Sequence, residues 1–158
     1  MLDGLLSKEE CARCRQCCSF ERYDLWETPL ITPKLRERIK ELKPEQEFIS
    51  RENCYIMKMQ QEPGSDVYYC PLLDHSSGCI LGDEKPFDCA LWPFRPMSFE
   101  GKRVIAVSPL CPVTAERTLR EISEKCRELC DYMFSQADEF PELVKPYIPG
   151  WPIIAAKP

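Results

Sequence analysis

Leu119, Ile122, Cys126, Leu129 and Met133 follow one another at alternating steps of three and four residues. That spacing lays them along one face of an α-helix, the seam by which a helix packs on a core. It predicts a helix from an N-cap at Thr114 to about Asp138, the longest in the chain, with Glu116–Arg120 and Glu121–Lys125 as exposed i,i+4 pairs. Upstream, Thr32-Pro33 reads as an N-cap with proline at the first helical position, starting a short helix through about Leu42 that Pro44 stops. Ser7 and Glu10 have capping-box spacing. A helix starting there would carry Cys11, Cys14 and Cys18 on one face, with Cys17 about 100° away.

Alternation replaces this period in two other places. The stretch CYIMKMQQEPGSDVYYC (54–70) reads as two strands around a Pro63-Gly64 turn, and MSFEGKRVIAVS (97–108) as a second hairpin turning near Glu100-Gly101-Lys102. Residues 19–31 read as an irregular or extended connection over something apolar. The proline-rich residues 139–158 read as a tail lying across the surface. These elements predict a small α+β fold with short helices, two hairpins and a long C-terminal helix. A single domain is expected over residues 1–138, with its motif core at 11–111 and its helix at 114–138.

Composition changes this picture through cysteine. The 158 residues hold eleven cysteines, an odd number that a closed disulfide framework would leave with one thiol over. The opening MLDGLLSKEECARC has no basic start followed by a long apolar run, so no signal peptide is expected. No stretch reaches the roughly 18 apolar residues of a membrane span. A reducing cytoplasm is the expected location, where dense cysteines read as metal ligands or redox groups. The formal charge of −5 lacks the basic footprint of a nucleic-acid binder.

Four cysteines fall within eight positions as Cys11-Ala-Arg-Cys14-Arg-Gln-Cys17-Cys18. Further on, Cys70, Cys79 and Cys89 lie in turn-rich backbone beside Pro71, Gly78 and Pro86, and Cys111 follows within SPLCPV. Turns suit ligands, because thiolates must converge while backbone amides stay free to donate to their sulfurs. Cys-x2-Cys-x2-Cys with a remote fourth cysteine is the ligand pattern of a [4Fe–4S] cluster. Structural zinc more often uses two Cys-x2-Cys knuckles, yet it tolerates loop ligands, and eight cysteines divide into two tetrahedral sites. Cys126 sits in the apolar seam of the long helix and reads as core, as does Cys54 at a strand start. Cys130 and His75, the one histidine, read as bystanders.

With these motifs the chain resembles the CxxCxxCC cysteine-cluster family, described as a zinc- or iron-chelating domain. The first motif carries the resemblance, together with Cys70, Cys79-Ile80-Leu81 and Lys85-Pro86-Phe87-Asp88-Cys89-Ala-Leu-Trp92-Pro93-Phe94. Cys111 falls where the family tends to place a further cysteine. Arg15 and Gln16 stand where the family usually has a glycine. The resemblance implies metal ligands at Cys11, Cys14, Cys17, Cys18, Cys70, Cys79, Cys89 and Cys111, and a metal-organised, cysteine-rich core. The expected function is a metal-binding protein with a cysteine-ligated centre, first an iron–sulfur cluster and alternatively zinc. It would serve as a redox, accessory or assembly component of a larger enzyme. In the zinc case it would be an interaction module without chemistry of its own. With no His-based site, nucleophile–base pair or phosphate loop in the sequence, a standalone enzyme is not expected.

Overall fold

Ser7 Oγ accepts from Glu10 N at 3.1 Å, while Glu10 Oε2 accepts from Ser7 N at 2.7 Å. This reciprocal cap starts α1 (Lys8–Cys14), as the spacing predicts. The computed structural model describes residues 2, 4–14, 16–21, 27–61, 63–74 and 76–157. It divides into two compact units, a cysteine-rich unit of residues 11–90 and a sheet unit of residues 1–10 and 91–158. Residues 139–158 belong to the second of these.

In the cysteine-rich unit, α1 does not continue through Cys18. A 3-10 turn at Gln16–Cys18 leads into β1 (Ser19–Phe20), so Cys18 leaves the helical face on which it was expected. The cause is a competing backbone partner: Cys18 O accepts from Cys70 N at 2.9 Å, at the end of a strand ladder. Next, α2 (Pro33–Leu42) forms as expected, with Thr32 Oγ1 accepting from Leu35 N at 3.2 Å and Ile39 buried on its inner face.

The 54–70 stretch is divided. Its first half, β3 (Tyr55–Met57), pairs backwards with β2 (Phe48–Ser50) rather than forwards. Only β4 (Gln60–Gln61) and β5 (Tyr68–Tyr69) make the expected hairpin around Pro63-Gly64, and β1 adds to it in the order β1-β5-β4. The minimal pair β6 (Leu73–Asp74) and β7 (Gly78–Cys79) follows, and then α3 (Phe87–Leu91). Phe20, Ile31, Ile39, Met57, Met59, Cys70, Leu72 and Leu81 form the buried core of this unit, with Cys18 and Cys79 packed against it. Cys54 is buried too, as its strand-start position predicts.

The sheet unit is built on β8 (Phe94–Phe99) and β9 (Lys102–Val107), paired antiparallel with Phe99 opposite Lys102. Glu100 and Gly101 both take positive φ, 50° and 75°. A two-residue turn of that hand matches the twist of the flanking strands, and the glycine makes the second position free of strain. Beyond it, α4 (Pro112–Ala115) and α5 (Leu119–Glu139) replace the single helix expected from Thr114. The break lies at Thr118, whose hydroxyl caps Glu121 N while the Glu121 side chain returns to Thr118 N. That box defines a stronger start than Thr114, whose hydroxyl donates to Cys111 O. It removes Glu121 from its expected pair with Lys125, which bonds Glu128 instead. Ile122, Cys126 and Met133 keep the predicted seam buried, whereas Leu119 at the first position is 65% exposed.

The segment expected to be a surface tail instead supplies both edges of this sheet. β10 (Lys145–Pro146) runs parallel to β8, and β11 (Ile153–Ala156) antiparallel to β9, giving the order β10-β8-β9-β11. Proline is tolerated there because an edge strand needs donors on one side only. α5 packs on β8 and β11. No helix among the described residues is long and apolar enough to cross a membrane.

Asp138, at the end of α5, fastens this layer. It receives Lys157 Nζ at 2.8 Å and also pairs with the Arg103 guanidinium. Lys157, and after it Arg103, hold the Asp138 carboxyl below the ordinary carboxylate range. A depressed folded pKa adds stability above the unfolded value of about 3.9, and that stability is lost as pH falls through the folded pKa. Asp138→Asn is therefore expected to be less stable than the parent at neutral pH, and the two to converge below about pH 4. Urea midpoints across pH check this, since a gap that stays constant into acid would contradict it.

Candidate functional site

Cys70 and Cys79 are presented by the same local device. Each opens a tight turn, closed by Leu73 N to Cys70 O at 3.1 Å in one case and by Gly82 N to Cys79 O at 3.1 Å in the other. In both, the amide two residues on donates to the cysteine's own sulfur, Leu72 to Cys70 and Leu81 to Cys79. An N–H aimed at sulfur favours the thiolate, the form that ligates metal. The turns are tied together by Ile80 N to Leu72 O at 3.0 Å and by Leu73 standing opposite Cys79 in the β6–β7 pair.

The other thiols come from separate segments. The ladder of β1 with β5 brings Cys18, and with it Cys17, alongside Cys70. Cys89 rides on α3, where Cys89 N donates to Pro86 O at 3.0 Å. α1 lies against β7. A Cβ added to Gly78, whose φ is +88°, would stand 3.4 Å from the Ala12 Cβ, so glycine suits both the backbone and the close approach.

Four thiols of this unit, Cys17, Cys70, Cys79 and Cys89, are held above the ordinary range by neighbouring sulfurs and by burial. The Cys17 thiol is held far above the ordinary range, first by hydrogen bonding with Cys18, then by burial and by the Cys18 charge. Burial pushes the Cys70 thiol up to about 12, with Cys79 and Cys17 adding to it. Cys79 is raised by burial and by Cys17. Cys89 is raised well above the usual value by burial, then by Cys17, Cys70, Asp88 and Cys79. Each of Cys70, Cys79 and Cys89 thus lies in the field of Cys17. Two cations oppose these effects, Lys85 acting on Cys17 and Cys79, and Lys43 on Cys70. Lys43 Nζ is itself anchored to Pro71 O at 3.0 Å.

Chemically, thiols in one another's field, Cys70 buried and Cys17, Cys79 and Cys89 half-buried, resist losing their protons one after another. A thiophilic cation reverses that order, because it is attracted by every thiolate that repels the next. The donor set fits such an ion by softness, by the amide hydrogen bonds to two of its sulfurs, and by one further feature. Asp88 Oδ1, beside Cys89, is buried without a hydrogen-bond partner. Even so, among the described residues no group of three or more His, Cys, Asp and Glu side chains is placed to hold a metal ion.

The expected ligands are therefore distributed unevenly. Cys17, Cys18, Cys70, Cys79 and Cys89 form the interacting array. Cys11 is half-buried, and Cys14 is exposed at the end of α1. Cys111 is buried in the sheet unit, outside residues 11–90. His75 lies outside the described residues. Cys126 is buried in the α5 seam, where burial pushes its thiol up to about 12, and Cys130 donates weakly to Arg127 O at 3.5 Å. None of the eleven cysteines is joined in a disulfide. Sequence reasoning gave no role to Lys43, Lys85 or Asp88. The basic residue before Pro86 was the one available signal for Lys85. No protein-family model, curated protein or solved structure matches the chain.

Proposed function

We propose that this chain is a metal-binding protein whose site is the thiol array of Cys17, Cys70, Cys79 and Cys89, with Cys18 as the hydrogen-bonding neighbour of Cys17. What supports this reading is that the charge of Cys17 bears on thiols delivered by three other chain segments, with the β1–β5 ladder setting Cys18 beside Cys70. Ordinary core packing gives no reason for a unit of residues 11–90 to hold eight of the eleven cysteines.

The occupant is an iron–sulfur cluster on the strength of the resemblance to the cysteine-cluster family and of the motif Cys11-x2-Cys14-x2-Cys17, of which only Cys17 belongs to the array and Cys14 is exposed. Amide hydrogen bonds to sulfur and an apolar surround are two of the means by which a protein tunes such a centre. The function that goes with it is electron transfer, or support of the assembly or activation of a larger enzyme. A zinc-stabilised interaction module is the second reading, favoured by the paired turns at Cys70 and Cys79, which suit a tetrahedral ion.

Metal and acid-labile sulfide analysis on protein purified without air separates these readings. Brown protein with iron and sulfide in comparable amounts is the expected result. Colourless protein with zinc and no sulfide would favour the second reading, and a preparation that holds no metal and takes up neither iron with sulfide nor zinc would overturn both.

A further inference from the structure

The β1–β5 ladder brings two cysteines face to face. Ser19 stands opposite Tyr69 and Phe20 opposite Tyr68, and the next step outward joins Cys70 N to Cys18 O at 2.9 Å. Alternate side chains of a strand share a face, which puts Cys18 with Phe20 and Cys70 with Tyr68. Packing agrees: Phe20 and Cys70 belong to the buried core of the cysteine-rich unit, and Cys18 and Tyr68 pack against it. Hydrogen-bonded partners in an antiparallel pair lie about 5.5 Å apart at Cα, within the roughly 4.4–6.8 Å that disulfides span. Their Cβ atoms need to approach by up to about 1 Å. Strands two residues long can give that much. Cys79, by comparison, faces Leu73 in the β6–β7 pair.

We propose that Cys18 and Cys70 are a redox-sensitive pair that closes a reversible cross-strand disulfide, with a small disulfide of the glutathione class as oxidant. The half-buried Cys18 is the entry point and the buried Cys70 the resolving thiol. Cys18 Sγ gives its proton to solvent and attacks one sulfur of oxidised glutathione, whose S–S bond breaks and releases one glutathione thiolate, which takes up a proton. Cys70 Sγ, deprotonated in turn, attacks the Cys18 sulfur and expels the second glutathione in the same way. Two electrons thus pass from the pair to the oxidant. Burial, which pushes the Cys70 thiol up to about 12, makes the second step slow at neutral pH and faster as pH rises. Transient disulfides are the kind that a reducing compartment allows. Closure pins β1 to β5 and takes Cys70 out of use as a thiolate. The pairing rests on the strand ladder and the shared core face, and holds with or without a bound metal.

Full-length protein, as purified and after chelation, is equilibrated with mixtures of reduced and oxidised glutathione, and its remaining thiols are blocked with N-ethylmaleimide. The expected result is the loss of two of the eleven thiols, no retained glutathione, and a Cys18–Cys70 cross-link that dithiothreitol reverses. Cys18→Ser and Cys70→Ser are each expected to abolish the cross-link, the second leaving glutathione on Cys18. Cys17→Ser and Cys79→Ser are expected to keep it. Where a variant does not fold, tandem mass spectrometry of the wild-type peptides makes the same assignment. A bond found only after chelation supports the pairing and shows that metal competes for Cys70. A cross-link through Cys17 or Cys79 in place of this pair would overturn the proposal. So would stable glutathione adducts without a cross-link, or thiols that all survive in both preparations. Metal content enters none of these readouts, so failure of the metal reading is a separate result.

Discussion

Cys17→Ser removes metal binding, whereas Cys126→Ala leaves metal content unchanged: this is the outcome expected if the thiol array is a ligand set. Cys17 is the sulfur whose charge bears on Cys70, Cys79 and Cys89, so its loss touches each of the other three thiols. Serine keeps the size and hydrogen-bonding capacity of the side chain but offers a harder donor that stays protonated at neutral pH. Affinity is expected to fall by more than about 100-fold, beyond the upper end of what outer-shell substitutions cost. Cys126 is fully buried, but in the seam of α5, where its thiol has a packing role and a strongly favoured neutral form. Cys14→Ser, at an exposed position, is expected to fall between the two. Metal stoichiometry after anaerobic loading, with folding followed by circular dichroism, decides the matter. Full retention by a folded Cys17→Ser variant would remove the basis for the site.

Several local signals in the sequence were reliable. The Thr32-Pro33 start, the Ser7–Glu10 box and the Glu100-Gly101 turn each involve residues within a few positions, and each forms where it was expected. The α5 seam was legible for the same reason, but its start was misplaced. Two threonines compete there, and the one with a glutamate three residues on defines the helix. What was not legible depends on distant partners. β3 could pair forwards or backwards, and its composition does not distinguish a strand at 48–50 from one across the Pro63-Gly64 turn. The last twenty residues looked like a surface tail because prolines dominate their pattern. Their short strands gain their partners from β8 and β9, and nothing within the segment announces that pairing. The candidate site follows the same rule. Its cysteines stood out by type and spacing, yet the interaction of Cys17 with Cys70, Cys79 and Cys89, and the hydrogen bond from Leu30 N to Asp88 across 58 positions, exist only once the chain is folded.

Removing metal is expected to loosen the cysteine-rich unit and to spare the sheet unit. The reason lies in how little regular structure the first possesses around its sulfurs. β1, β4, β5, β6 and β7 are two residues long each, and paired strands of that length are not stable alone in water. A structural metal in a small domain contributes on the order of 10 kcal/mol or more, as much as the whole net stability of a typical domain. The sheet unit needs no such help, because its β8–β9 hairpin is six residues deep on each side and α5 covers it with Ile122, Cys126, Met133 and Phe134. Hydrogen exchange on metal-loaded and chelated protein reads both units at once. Protection across residues 68–74 and 78–82 is expected to fall on chelation, while amides of the β8–β9 hairpin keep theirs. Equal losses in both regions would point to global unfolding. Unchanged protection near Cys70 and Cys79 would mean that the thiols there do not depend on a metal for their order.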